Sequence, residues 1–178
     1  THLKGVLRHT GVKHILESYR IFRFNFALFC GRITLNTENF FSGEYAKSIN
    51  KEPIIAATRN AHKSFLTTCA LLDIKPLWIS SEPPNSVLRF KLGEESLTSF
   101  FENCTTLPVA LYLTCPDYLG NLPDLEKISS LCKKFGVLLL VDNAHGAYLG
   151  FLPENKHPLF LGADLCCDSA HKTLPVLT

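Results

Sequence analysis

Val137-Leu138-Leu139-Leu140-Val141-Asp142-Asn143-Ala144-His145-Gly146 is the stretch whose reading decides the fold. Five consecutive apolar residues ending at an acid make a strand buried on both faces. A strand with one wet face would instead alternate polar and apolar side chains. Just before it, Asp124 caps a helix with Leu125, Ile128, Leu131, Cys132 and Phe135 facing inward, and Gly136 stops that helix. A buried strand fed by an amphipathic helix is the repeating unit of a parallel sheet.

The same alternation recurs outward from this point. Ile54–Ala57 suits a buried strand, and Asn60 is expected to cap a following helix that carries Phe65, Leu66, Cys69 and Leu72. Leu77–Ile79 reads as a second strand. Glu94–Asn103 reads as a helix with Leu97, Phe100 and Phe101 on one face. Val109–Leu113 and Leu165–Cys167 complete the strands. Pro83-Pro84-Asn85 and residues 116–121 read as loops. The expected class is α/β, a mainly parallel sheet flanked by helices. Residues 1–50 lack this regularity, and Asn36–Gly43 reads as loop, so the chain divides into a poorly patterned segment 1–50 and a regular one, 51–178.

Composition narrows the function classes. Hydrophobic residues make up 46% and charged residues 19%, which excludes a disordered chain. A net charge of +2 with dispersed basic residues gives no reason to expect nucleic acid or an anionic membrane as partner. No apolar run nears the ~20 residues that span a bilayer; Ile21–Cys30 is too short and too polar. The seven cysteines include no C-x-x-C pair and sit mostly in apolar stretches, so they read as reduced core residues of a cytoplasmic protein. The chain contains no Met, which is the composition expected of a fragment.

In parallel α/β sheets ligands bind beyond the carboxyl ends of the strands. The residues just past each apolar run are Arg59, Asn60, His62, Lys63 and Ser64; Thr114, Asp117 and Tyr118; Asp142, Asn143, Ala144 and His145; and Asp168, Ser169, His171 and Lys172. Singly each is ambiguous. Asp142 alone reads equally as a cap or a Mg²⁺ ligand, a lone His as structural, a lone Lys as surface. Together they offer an acid, a hydroxyl, histidines and lysines to one crevice. A metal site built from Cys166, Cys167, His171 and His145 is disfavoured, because adjacent strand residues point to opposite faces; no metal is expected.

Asp142-Asn143-Ala144-His145-Gly146-Ala147 and Ser169-Ala170-His171-Lys172-Thr173-Leu174 resemble two signatures of fold-type I pyridoxal-phosphate enzymes, specifically the ornithine/lysine/arginine decarboxylase group. Arg59-Asn60-Ala61-His62-Lys63-Ser64 is similar to a third signature. Thr114-Cys115-Pro116-Asp117-Tyr118-Leu119-Gly120 is similar to the group's loop before a helix. The resemblance covers residues 54–178 and implies part of an aminotransferase-like large domain. It implies pyridoxal 5'-phosphate as cofactor, with Lys172 as the Schiff-base lysine and Asp142 paired with the pyridine nitrogen. It further implies His62 stacked on one ring face, Ala144 under the other, and Ser169 and His171 at the phosphate. His145 lies near this set without an assigned role.

The implied activity is decarboxylation of a basic amino acid by the parent protein. That protein would bind a small amino-acid substrate and assemble as a homodimer or larger homo-oligomer. Two alternatives stay open: other pyridoxal-phosphate chemistry, such as transamination or a lyase reaction, and a catalytically inert fragment. Residues 1–40 show no similarity to the group and are expected to be divergent or read out of frame. The Gly/Ser-rich phosphate loop of the group has only Ser42-Gly43 as a counterpart. Asn143 stands where many decarboxylases have Glu, and the group's small C-terminal domain is expected to be absent from these 178 residues.

Overall fold

A computed structural model describes residues 45–80 and 92–175. The expectations for residues 1–40, the Ser42-Gly43 loop, Cys30 and the Pro83-Pro84-Asn85 turn lie outside these residues.

Five strands form one sheet: β1 (Ile54–Thr58), β2 (Lys75–Ile79), β3 (Ala110–Thr114), β4 (Leu138–Asn143) and β5 (Leu165–Asp168). Their spatial order is β2-β1-β3-β4-β5, and every adjacent pair is parallel. The helices α1 (Lys63–Leu71), α2 (Glu94–Glu102) and α3 (Leu125–Phe135) connect successive strands. A 3₁₀ turn (Ala147–Phe151) lies between β4 and β5, and a short α4 (Ala170–Thr173) follows β5.

Strand alternation divides the core. Ala56, Leu111, Leu113, Leu139 and Val141 face α2 and α3, meeting Leu97, Phe101, Leu125, Ile128 and Cys132. Ile55, Ala57, Ala110, Tyr112 and Leu140 face α1 and meet Phe65 and Cys69. Both sheet faces are therefore covered, which explains the near-continuous apolar strands. Helix α3 ends as its sequence predicts: Gly136 adopts φ +68°, a left-handed cap that a side chain disfavours. Asp124 caps its start by accepting from the Lys127 N–H.

The start of α1 differs from expectation. His62, not Asn60, is the N-cap. The Asn60 Oδ1 is engaged by the Thr58 hydroxyl at 2.6 Å, and the helix begins three residues later. Leu66 also points to solvent, leaving Phe65, Thr68 and Cys69 as the buried positions.

The chain runs outward in one direction from β1 to β2 and in the other from β3 to β5. The reversal places a crevice beyond the carboxyl ends of β1 and β3, where connecting loops diverge.

Candidate active site

Asp142 and Asn143 are the last residues of β4, and Asp168 is the last of β5. The register pairs Thr114 with Asp142 and Asn143 with Asp168, so these ends lie side by side on one edge. Asp142 is 3% exposed. Its Oδ2 accepts from the Tyr112 hydroxyl at 2.9 Å, and its Oδ1 accepts from the Ala144 N–H at 3.1 Å. Among the described residues no Lys, Arg or His forms an ion pair with it. A buried carboxylate is stable only when donors or a cation face it, and each oxygen here keeps acceptor capacity.

Lys172 lies in α4, immediately past β5, and is exposed. Its Nζ sits 3.2 Å from His145 Nε2. The His145 ring is held below the ordinary imidazole range, first by desolvation and then by the positive charge of Lys172, with His62 adding to it; Asp142 pulls the other way. One imidazole therefore senses Lys172, Asp142 and His62 together. Of the three residues singled out as catalytic in the sequence, Lys172 contacts His145 directly.

The His62 ring is fixed by one edge. Its Nδ1 accepts from the Ser64 backbone N–H at 3.3 Å and lies 2.8 Å from the Ser64 hydroxyl. Ala144 and Ser169 are buried. Ser169 is the N-cap residue of α4 without a side-chain cap bond, and His171 is exposed beside Lys172. Arg59 stacks over Trp78 at 5.0 Å. In the loop after β3, Asp117 Oδ1 accepts from the Leu119 and Asn121 N–H groups. The Thr114 hydroxyl reaches the Asn60 carbonyl at 3.5 Å, spanning the β1 and β3 ends.

Tyr112 and His157 were missed by sequence reasoning. A tyrosine inside an otherwise apolar strand is a usable signal, because its buried hydroxyl must find a partner. His157 offers no such signal: it lies in the connection between the 3₁₀ turn and β5. Its Nε2 is 3.0 Å from Asp168 Oδ2, and Asp168 Oδ1 accepts from Asn143 Nδ2 at 2.5 Å.

Cys166, Cys167, His171 and His145 do not converge. Among the described residues the one group of three with metal-ligand atoms close together is His157, Cys166 and Asp168, within 4.8 Å. The cysteines among the described residues form no disulfide. Desolvation holds Cys69 at about 11 and, helped by the charge of Asp117, Cys115 at about 12. Desolvation and Asp164 hold Cys132 at about 12, with Lys133 opposing.

The family model for the Orn/Lys/Arg decarboxylase major domain matches residues 6–178. The chain belongs to this family. The match begins well before the four sequence motifs and includes most of the segment in which the sequence alone showed no similarity.

Among curated relatives, the "Uncharacterized protein YaaO" of Bacillus subtilis (strain 168) is 33% identical over 132 residues, covering 70% of this chain and 26% of its own length. An arginine decarboxylase of the same organism is 35% identical over 121 residues, covering 66% and 24%. The "O-phospho-L-seryl-tRNA:Cys-tRNA synthase 2" of Archaeoglobus fulgidus is 27% identical over 112 residues, covering 60% and 28%. The chain thus spans about a quarter of the length of these relatives. Among solved structures, Oryza sativa TDC with PLP superposes with a TM-score of 0.61 at 16% identity, covering 80% of this chain and 33% of that one. That likeness identifies the fold-type I architecture.

Proposed function

We propose that the whole protein is a pyridoxal 5'-phosphate-dependent decarboxylase acting on a basic amino acid, ornithine, lysine or arginine. The observation that carries this reading is Lys172 Nζ lying 3.2 Å from His145 Nε2, in the turn that directly follows the buried Asp142. Family membership and the relative named arginine decarboxylase support the reaction and the substrate class.

The residues fit the cofactor. Asp142 offers a buried carboxylate, already oriented by Tyr112 and Ala144, with lone pairs left for a cationic ring nitrogen. Ala144 supplies a small buried surface and His62 an edge-anchored ring for stacking. Lys172 is the covalent anchor through Nζ, and Ser169 and His171 are donors for the phosphate. When bound, pyridoxal phosphate supplies the electron sink for the pair released from the Cα–carboxylate bond. Asp142 would keep a proton on the ring nitrogen, and the His145 Nε2 accepts a hydrogen bond from Lys172 Nζ at 3.2 Å. No metal takes part in this reading.

The intact protein is a homodimer or larger homo-oligomer in this account, and sedimentation of a fully active monomer would contradict it. The absence of disulfides among the described cysteines supports the cytoplasm as its location. A second reading is favoured by the tRNA-linked synthase relative: the Lys172/Asp142 pair serves other pyridoxal-phosphate reactions equally, since substrate orientation selects the bond broken. One assay separates them. The full-length protein is offered arginine, lysine, ornithine, tyrosine and aspartate, and released carbon dioxide is measured. Release confined to the basic amino acids supports the proposal; cofactor-bound protein that releases none from any of them refutes it.

A further inference from the structure

Beyond the residues given roles above, a buried polar chain links the two strand ends that carry them. His157, Asp168 and Asn143 are each at most 9% exposed. The Leu159 N–H lies 3.4 Å from His157 Nδ1, so that nitrogen is the bare acceptor and Nε2 carries the proton donated to Asp168 Oδ2. Asp168 Oδ1 accepts from the Asn143 amide. A neutral imidazole therefore satisfies the chain with both carboxylate oxygens engaged.

The chain also sets which way Asn143 faces. Its Oδ1 is buried with no hydrogen-bond partner. Turning the amide over would aim that oxygen at the Asp168 carboxylate, so Asp168 enforces the orientation that leaves it orphaned. The orphaned oxygen lies against Gly146, where a Cβ would collide with it and with Pro116. The Gly146 N–H in turn bonds the Asn143 carbonyl at 2.8 Å. This closes the turn that carries Ala144 and His145. The link occupies the last β4–β5 rung, directly after Asp142 and directly before Ser169. In the described sheet β5 is an edge strand paired only with β4, and this rung is the one nearest the Lys172 end among the four that hold it against the Asp142 end.

We propose that Asp168, oriented by His157, is a positioning residue: through Asn143 it holds the Asp142 and Lys172 strand ends at their working separation and fixes the Ala144–His145 turn. This rests on the assignment of Asp142 and Lys172 to the cofactor. His157→Leu removes the donor to Asp168, whereas His157→Gln supplies an amide N–H in its place.

The test uses the full-length, cofactor-loaded protein. It compares the absorption spectrum of the bound cofactor, its dissociation constant, kcat and KM. For H157L the expectation is an altered spectrum and roughly tenfold weaker cofactor retention and lower kcat, the loss of about one buried hydrogen bond to a charge, with KM little changed. H157Q is expected to restore all of these. Should H157L fail to fold, N143L decides, since it cuts the chain while leaving His157 and Asp168 paired; it is expected to reproduce the spectral and kcat changes. The proposal is overturned if either soluble variant loses thermal stability alone while spectrum, retention and kcat stay at parental values. It is equally overturned if H157Q restores nothing, or if neither H157L nor N143L folds and H157Q retains cofactor no better than K172A. K172A separates the two layers: cofactor and colour retained in K172A would sink the assignment of Lys172 itself.

Discussion

Replacing Tyr112 with Phe removes one oxygen atom and nothing else from a fully buried site. The ring stays stacked on Phe65 at a centroid distance of 4.5 Å, so no cavity opens. The change removes the 2.9 Å hydrogen bond from the hydroxyl to Asp142 Oδ2, and among the described residues the Ala144 N–H still donates to that carboxylate. A hydrogen bond to a charged group contributes about 1.5–3 kcal/mol, against about 0.5–1.5 kcal/mol between neutral groups. Tyr112→Phe is therefore expected to destabilise the cofactor-free protein by about 1.5–3 kcal/mol in urea unfolding. In an Asp142→Asn background the same change should cost only about 0.5–1.5 kcal/mol, because the acceptor is then neutral. The four proteins form a double-mutant cycle with a coupling of about 1 kcal/mol. A Tyr112→Phe cost below about 0.5 kcal/mol, or equal costs in both backgrounds, would refute the view of Asp142 as a buried charge oriented by Tyr112.

Asp142→Asn in the full-length protein should keep the cofactor on Lys172 but slow turnover by a factor of about 10²–10³, as for other preorganised charge contacts; near-parental kcat would reject its role. His145 should titrate below the ordinary imidazole pKa of about 6.5. Its folded value is depressed, so the stability it contributes is present above the unfolded pKa and lost as pH falls through the folded one; an NMR titration at or above the ordinary value contradicts this. Cys69, Cys115 and Cys132, held at about 11, 12 and 12, should resist alkylation at pH 8 until the protein unfolds. Rapid native labelling at any of the three would argue against their burial.

The parallel sheet was legible because burial on both faces removes polar residues from strands, as in Val137–Val141, and because Gly136 and Asp124 mark helix ends chemically. The strand-end rule put Asp142, His62 and Lys172 on a longer list of residues at strand ends, and the family resemblance singled them out from it. Cap assignment failed at Asn60 because its side chain had a nearer partner in Thr58, a competition that residue identity does not display. Tyr112 was hidden by its neighbours: its ring belongs to the core while its hydroxyl belongs to the site. His157 was hidden by distance, since its partner Asp168 lies eleven residues on and only the β4–β5 pairing brings Asn143 to the same carboxylate. Roles that depend on strand order are not readable from local pattern.

The proposed function stands on Lys172 anchoring pyridoxal phosphate opposite Asp142. The most direct measurement is borohydride reduction of the full-length protein with added cofactor, followed by proteolysis and mass spectrometry of the modified peptide. A single stable adduct on Lys172, absent from K172A, is the expected result. An adduct on Lys63 or another lysine, with Lys172 unmodified, would contradict it.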